Sequence, residues 1–330
     1  MKVALFFLVP IKQLGGCTSF TAHLARSLVL LGHSVDILRI GKKPRSGVNF
    51  AYGLTSRTVT MEQARTIART TPSLIAYCFW KKMNAPCSVL LRMGVPIVMH
   101  DPAEFYQEWA DIMRRFDGKA LVIRKRNIRG LRELGVDSVY VPHPYAPSGV
   151  QQALFEHNAV SIARVDFRKR THVICQANRI VGPDLAVRLY GEMNRIYVYH
   201  QLSKQFPEWR QWYHGMFDDR VGEAVEIARS ARLVVDLTAI KGDGGGTQYT
   251  FFEAWEADRT LVLNKAWFTS NRDEVREGVN CLAIGNAQEL ADVLRSQDEH
   301  EKVREGGRRT LKAHLPEATI PQYLEMLNAS

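Results

Sequence analysis

Four stretches of the chain carry residue types and spacings suited to chemistry on an anionic, sugar-like ligand. His100-Asp101 follows the apolar run Pro96–Met99. A His at a strand's carboxyl end can hydrogen-bond a sugar or a developing charge, and an Asp can take a proton from an attacking hydroxyl. Asp101 equally suits capping of a helix that starts at Pro102. Arg164 and Lys169 stand five residues apart, where two cations can clamp a diphosphate and stabilise charge on a leaving group. The same pair also reads as a solvated basic loop. The glycine-rich run Gly242-Asp243-Gly244-Gly245-Gly246 leads through Thr247, Gln248, Tyr249 and Thr250 into an apolar helix containing Glu253. Bare backbone N–H groups beside a helix N-terminus suit phosphates or sugar hydroxyls, and Glu253 can accept both hydroxyls of a ribose. Gly15-Gly16, between the first strand and first helix, lets a ligand approach the backbone there, although a plain tight turn reads as well.

These residues need strands and helices to place them. Val3–Val9, Ser34–Ile40, Leu74–Phe79, Pro96–Met99, Ala120–Ile123 and Ser138–Val141 read as strands. Helical spacing falls between them at Ser19–Leu31, with Gly32 as its stop, and at Met61–Arg69, Ser88–Met93 and Asn127–Leu134. The Pro- and Gly-rich segment from Pro142 to Gly149 reads as a linker. A second series follows, with strands at Asn158–Ala163, Leu185–Tyr190, Ile196–His200, Leu233–Leu237 and Thr260–Leu263. Its helices are expected at Val173–Arg179, Gly222–Ala231, Tyr249–Ala257, Ala287–Arg295 and Glu301–His314. Two alternating series predict two Rossmann-like α/β domains with parallel sheets, 1–148 and 149–330, the last helix crossing back to the first domain.

Composition sets the limits. The chain of 330 residues is 46% hydrophobic and 24% charged, as expected of a soluble globular protein of two domains. The apolar stretch Val3–Pro10 is too short to span a bilayer and lacks a small-residue cleavage site, so a cytoplasmic location and no stable membrane insertion are expected. Five scattered cysteines, without a Cys-x-x-Cys pair, indicate neither a disulfide framework nor a zinc site. The formal net charge of +10 is uneven: residues 1–150 hold 21 Lys+Arg against 9 Asp+Glu, the rest 23 against 25. Arg114, Arg115, Lys119, Arg124, Lys125, Arg126, Arg129 and Arg132 crowd one stretch of the basic half. That distribution suits a polyanionic partner or simply a soluble basic face.

In order and spacing the motifs resemble the retaining GT-B glycosyltransferases over nearly the whole chain. The matching pieces are Gly15-Gly16, Gly32-His33-Ser34-Val35, Arg164 with Lys169, the glycine loop ending in Phe252-Glu253-Ala254, and the Asn271–Leu282 stretch with Glu274 and Gly278-Val279-Asn280. The resemblance implies two Rossmann-like domains facing a central cleft. It also implies a nucleotide-sugar co-substrate, UDP-linked in type, and no other cofactor. No metal is expected, since no His/Cys/Asp cluster has metal-ligand spacing and no Asp-x-Asp element lies at a strand end. Arg164 and Lys169 would hold the donor diphosphate; Gly15, Gly16, Gly246, Thr247, Gln248, Tyr249 and Thr250 would line the donor site, and Glu253 would hold the ribose. The family usually has a second Glu eight residues before the ribose-binding one, where this chain has Gly245. Asp243 or backbone N–H groups are left to make that donor-sugar contact.

Tyr249-Thr250-Phe251-Phe252-Glu253 and His100-Asp101 are similar to stretches of a divergent branch of the family, the phage DNA α-glucosyltransferases, which glucosylate hydroxymethylcytosine in duplex DNA. The expectation is a hexosyltransferase acting on a hydroxymethylated pyrimidine, in the host cytoplasm if phage-encoded. Duplex DNA would lie along Arg114, Arg115, Arg124, Lys125, Arg126 and Arg129, with the target base flipped toward His100 and Asp101. Two other readings stay open: a glycosyltransferase for a lipid-linked or cell-envelope glycan, and a non-catalytic DNA-binding protein on a Rossmann scaffold.

Overall fold

The computed structural model describes residues 1–9, 16–77, 81–100, 105–115, 120–151, 156–217, 221–239, 248–270 and 274–328. The chain divides into two compact units, Met1–Ala146 with Ala313–Ser330, and Pro147–Lys312.

The first unit is built on an eight-stranded sheet in the order β3-β4-β2-β1-β5-β6-β7-β8. Its strands are β1 (Lys2–Leu8), β2 (Ser34–Ile40), β3 (Arg45–Asn49), β4 (Thr55–Val59), β5 (Ser73–Tyr77), β6 (Ile97–Met99), β7 (Ala120–Val122) and β8 (Ser138–Tyr140). All neighbours run parallel except β3, which pairs antiparallel with β4 at the edge. Val3 through Leu8 are buried without a break. A strand covered on both faces has no reason to alternate apolar with polar residues. The helices α1 (Gly16–Leu30), α2 (Met61–Thr70), α3 (Asn84–Leu91), α4 (Tyr106–Met113) and α5 (Lys125–Arg132) link the strands. Gly32, at φ 79°, ends α1: its N–H bonds Val29 O, and the His33 N–H bonds Leu28 O. The left-handed backbone that closes such a helix end is one that glycine adopts without strain. A reciprocal cap between Thr60 and Gln63 starts α2.

The second unit holds a five-stranded parallel sheet in the order β10-β9-β11-β12-β13. Its strands are β9 (His157–Ile162), β10 (Val187–Tyr190), β11 (Ala231–Asp236), β12 (Thr260–Asn264) and β13 (Leu282–Ile284). Around it lie α6 (Thr171–Val181), α7 (Arg195–Tyr197), a π-helical turn (Val198–Leu202), α8 (Ser203–Gln205), α9 (Glu223–Arg229), α10 (Tyr249–Glu256), α11 (Trp267–Ser270), α12 (Ala287–Arg295) and α13 (Glu301–Lys312). The final helix, α14 (Pro316–Asn328), belongs to the first unit, where the Tyr323 hydroxyl donates to Pro142 O at 3.0 Å.

The sequence reading differs from the structure at Ile196–His200. The segment is helical, not a strand. Asn194 caps it by accepting from the Tyr197 N–H at 3.2 Å, and Tyr197, Val198 and Leu202 turn inward while Ile196 and Tyr199 face solvent. That alternation is helical, and a short run of β-branched and aromatic residues disguises it. The pair β3–β4 escaped the reading because its residues are mostly polar and β3 is largely exposed at the sheet edge.

In both sheets the chain leaves a central strand in opposite directions to its two neighbours. In the first unit this reversal falls between β1 and β5, and in the second between β9 and β11. Loops at the carboxyl ends of such strand pairs are where open α/β sheets bind ligands.

Candidate functional site

At the second unit's reversal, β9 ends at Ile162 and β11 ends at Asp236. Arg164 follows β9 and is exposed. Asp166 is buried and folds the loop: it accepts from the Arg168 N–H at 2.8 Å and from the Asn194 side-chain amide at 3.0 Å. Burial pushes the Asp166 carboxyl up, but the bonds from Asn194 and Arg168 and the charges of Arg164 and Arg168 outweigh it and hold the group below the usual carboxylate range. A 3₁₀ turn over Phe167–Lys169 then swings Lys169 inward.

The Lys169 ammonium donates to Thr238 Oγ1 at 2.6 Å and to Gln248 Oε1 at 3.0 Å, and lies 3.6 Å from the Asp236 carboxylate. An ammonium has three hydrogens: Thr238 and Gln248 take two, Asp236 acts through its charge, and among the described residues the third is uncommitted. Asp236 is itself held by the N–H of Thr238 at 2.9 Å and by its hydroxyl. Trp267 Nε1 donates to Thr238 O at 2.9 Å, so the seat is braced from behind. Lys169 therefore bonds Thr238 and Gln248, which flank the glycine-rich segment in the sequence.

Gln248 is the N-cap residue of α10, in extended backbone. One residue into the helix, Tyr249 meets the Phe252 ring edge-on at 5.8 Å. Thr250 Oγ1 reaches Ile162 O at 3.4 Å and so ties the start of α10 to the end of β9. Glu253, one turn along, is buried, and its carboxyl is pushed up to about 8, first by burial and then by the charges of Glu256 and Asp236. Among the described residues no hydrogen bond reaches that carboxyl group. A cation, an amide, a hydroxyl and a buried acid thus gather at one sheet edge, a set able to take a phosphate and a diol.

In the first unit, His100 directly follows β6 and is buried, and its backbone N–H donates to Tyr77 O at 3.1 Å. Its ring lies against Gly16, the first residue of α1, so a Cβ at Gly16 would meet His100 Cε1 at 2.5 Å. Phe20 approaches the same ring at 6.3 Å. Of the basic group, Arg114 pairs with Asp111 at 2.8 Å, and Arg115 is exposed beyond the end of α4. Arg124 precedes α5, on which Lys125, Arg129 and Arg132 are exposed at positions that share one helix face. Arg129 pairs with Glu133 at 2.8 Å, and Lys125 lies over the Tyr140 ring at 5.3 Å. Arg126 lies in α5; its side chain, together with Gly15, Asp101, Lys119, Asp243, Gly245, Gly246 and Thr247, falls outside the described residues.

Asp236 and Thr238 escaped the sequence reading. Their signal is an acid directly after the apolar run Leu233–Val235 with a hydroxyl two residues on, a pattern that needs a cation from elsewhere to acquire meaning. Among the described residues no group of three or more His, Cys, Asp and Glu is placed to hold a metal ion, and no helix is long and apolar enough to cross a membrane.

Two α/β units on largely parallel sheets make the GT-B fold of glycosyltransferases. No family model matches the sequence, and no curated protein matches it significantly. Solved structures do match. HepE of Anabaena, in complex with UDP and glucose, aligns over 100% of both chains at 14% identity with a TM-score of 0.70. An alpha-glucosyltransferase in complex with UDP and a 13-mer DNA containing a central A:G mismatch aligns over 99% of this chain and 100% of its own, at 11% identity and a TM-score of 0.71. A glycosyltransferase from Rickettsia africae aligns over 99% and 98% at 12% identity, with a TM-score of 0.68. At these identities the shared property is the fold.

Proposed function

We propose that the protein is a glycosyltransferase that moves a sugar, with retention, from a UDP-sugar to a hydroxymethylated pyrimidine in duplex DNA. The observation that carries the donor half is the seating of Lys169 against Thr238, Gln248 and Asp236 at the point where the second sheet reverses. In the reaction the sugar C1–O bond to the diphosphate breaks, UDP leaves with the bonding electrons, and the acceptor hydroxyl oxygen bonds to C1. Arg164 and Lys169 carry the charge growing on the diphosphate, Glu253 accepts from the ribose hydroxyls, and the backbone N–H groups of the glycine-rich stretch complete the cradle. These residues need no metal. On the first unit, Asp101 takes the hydroxyl proton, and His100, whose ring fills the space that Gly16 leaves, orients the sugar. Support for the DNA acceptor comes from the excess charge of the first half, the exposed Lys125, Arg129 and Arg132, and the fold shared with an enzyme solved with DNA.

The test is incubation with labelled UDP-sugars and either hydroxymethylated or unmodified duplex, followed by digestion to nucleosides and mass measurement. A hexose on the hydroxymethylated base alone is the expected result. Transfer to a lipid or glycan acceptor, with every base unlabelled, overturns the DNA assignment and leaves the envelope-glycan alternative.

A further inference from the structure

The loops leaving β9 and β10 carry a surface that the donor site does not use. They are sewn together: the Val165 N–H bonds Glu192 O at 2.9 Å, the Asn194 N–H bonds Val165 O at 3.0 Å, and the Asn194 amide bonds Asp166 at 3.0 Å. From this joined edge three large apolar side chains project into solvent. Tyr199 is 73% exposed, Ile196 69% and Phe167 48%. Ile196 and Tyr199 are three apart on the outer face of α7 and the π-helical turn, whose inner face buries Tyr197, Val198 and Leu202. The Phe167 ring packs on Tyr197 at 4.5 Å and the Tyr199 ring on His200 at 4.9 Å, so both rings are supported yet keep solvent-facing surface. Core packing accounts for neither Ile196 nor Tyr199.

The same edge is cationic. Arg168, Arg195 and Lys204 are exposed, and among the described residues none of them has an ion pair. The exposed acid close by in sequence is Glu192; Asp166 is buried and already engaged. This differs from the first unit, where Arg114 and Arg129 each hold a carboxylate.

Ring faces beside such cations are the chemistry that binds stacked or splayed bases together with their phosphates. A lipid surface asks for something else, a longer amphipathic helix with a broad apolar face. The helical stretch here is short, and Gln201, Ser203 and Gln205 interrupt it.

We propose that Phe167, Ile196 and Tyr199, with Arg168, Arg195 and Lys204, form a nucleic-acid docking rim on the second unit, which holds the acceptor by its bases and phosphates. The proposal rests on the DNA-acceptor reading. It makes the second unit a holder of acceptor as well as of donor.

Because these side chains are exposed, their removal tests binding without disturbing the fold, and a thermal melt checks that directly. Binding of a fluorescent hydroxymethylated duplex is measured by anisotropy across a salt series for the wild type, the double variant Ile196→Ala/Tyr199→Ala, and the double variant Arg195→Ala/Lys204→Ala. UDP binding by calorimetry serves as the control. The apolar pair should weaken duplex binding about tenfold or more with the salt slope unchanged. The basic pair should flatten the log–log salt slope by about 0.9 for each phosphate that is no longer neutralised. UDP affinity should not move in either. Equal duplex binding by the wild type and both variants, with base transfer intact, overturns the rim and leaves the acceptor reading standing. A wild type that binds UDP but no duplex overturns both. Loss by the apolar variant of binding to phosphatidylserine vesicles instead of duplex assigns the surface to a membrane and overturns the nucleic-acid rim.

Discussion

The imidazole of His100 occupies the space that a side chain at residue 16 would need: a Cβ on Gly16 would stand 2.5 Å from Cε1 and 2.8 Å from Nε2. Gly16 opens α1, where alanine favours the helix by less than the roughly 1 kcal/mol it gains in a helix interior. Gly16→Ala sets that gain against displacement of a buried ring. The atoms it meets are the outer end of the His100 side chain, so the ring can turn away at modest cost. The expected result is a stability change within about 1 kcal/mol and a transfer rate lowered about 100-fold, since a displacement near 1 Å at a reacting group costs that much. Melting temperature and kcat on one preparation decide the matter. A wild-type kcat would remove His100 from the reaction.

A second prediction concerns how Lys169 is aimed. Asp236→Asn keeps an oxygen for the Thr238 N–H but removes the charge beside the ammonium. Thr238→Val removes the hydroxyl that bonds both Lys169 and Asp236. Each should weaken UDP binding about tenfold, in keeping with the loss of one or two net hydrogen bonds at about 1 kcal/mol each. Asp236→Asn should also lower the Glu253 pKa, because Asp236 is one of the charges raising it. Calorimetric titration with UDP reads the first effect and its pH dependence the second. If both variants bind UDP as the wild type does, Lys169 does not depend on this seat.

Glu253 gives the chain a distinctive pH response. Burial, then Glu256 and Asp236, raise its carboxyl from 4.5 to about 8. The native state therefore holds this proton more tightly than the unfolded chain. The stabilisation is complete below pH 4.5 and is lost as pH rises through about 8, on the order of 5 kcal/mol over that window. Donor binding runs the other way. Ribose hydroxyls donate to the ionised carboxylate, so UDP should bind more tightly as pH rises from about 6 to 8, with release of a proton. Glu253→Gln should flatten both profiles. Denaturant unfolding at several pH values, and titrations in buffers of different ionisation enthalpy, check the two effects separately. A wild-type UDP affinity independent of pH across that range would dissociate Glu253 from the ribose.

Apolar runs made the parallel sheets legible. β1, β5, β11 and β12 are buried along nearly their whole length, so their composition alone marks them. Polar edge strands such as β3 leave no such mark. Ile196–His200 misled because residue type suggested a strand while the side chains follow a helical spacing that only the capping by Asn194 makes plain. At the site, Lys169 and Gln248 were picked out by neighbours in sequence. Their bond to each other, and the role of Asp236 and Thr238, depend on pairings across dozens of residues that local spacing does not encode.

The exposed face of α5 gives the last prediction. Lys125, Arg129 and Arg132 recur along one side of the helix and can follow a phosphate backbone. The arrangement is unfavourable for the helix itself: its first turn contains no acid, and Lys125 sits where the helix dipole repels a cation. Lys125→Glu gains about 0.3–1 kcal/mol from the dipole but loses a cation–π contact with Tyr140 of about 0.5–1 kcal/mol, so stability should stay within about 1 kcal/mol while duplex binding weakens. Arg129→Ala and Arg132→Ala should each reduce the log–log salt slope by about 0.9 with the melting temperature almost unchanged. Glu133 competes for Arg129 in an exposed pair worth little in stability, so Glu133→Gln should tighten duplex binding at low salt and leave the fold as it is. Anisotropy titrations across a salt series, paired with thermal melts, measure both quantities. If Lys125→Glu leaves the affinity for duplex and its salt slope at wild-type values, α5 does not touch the acceptor.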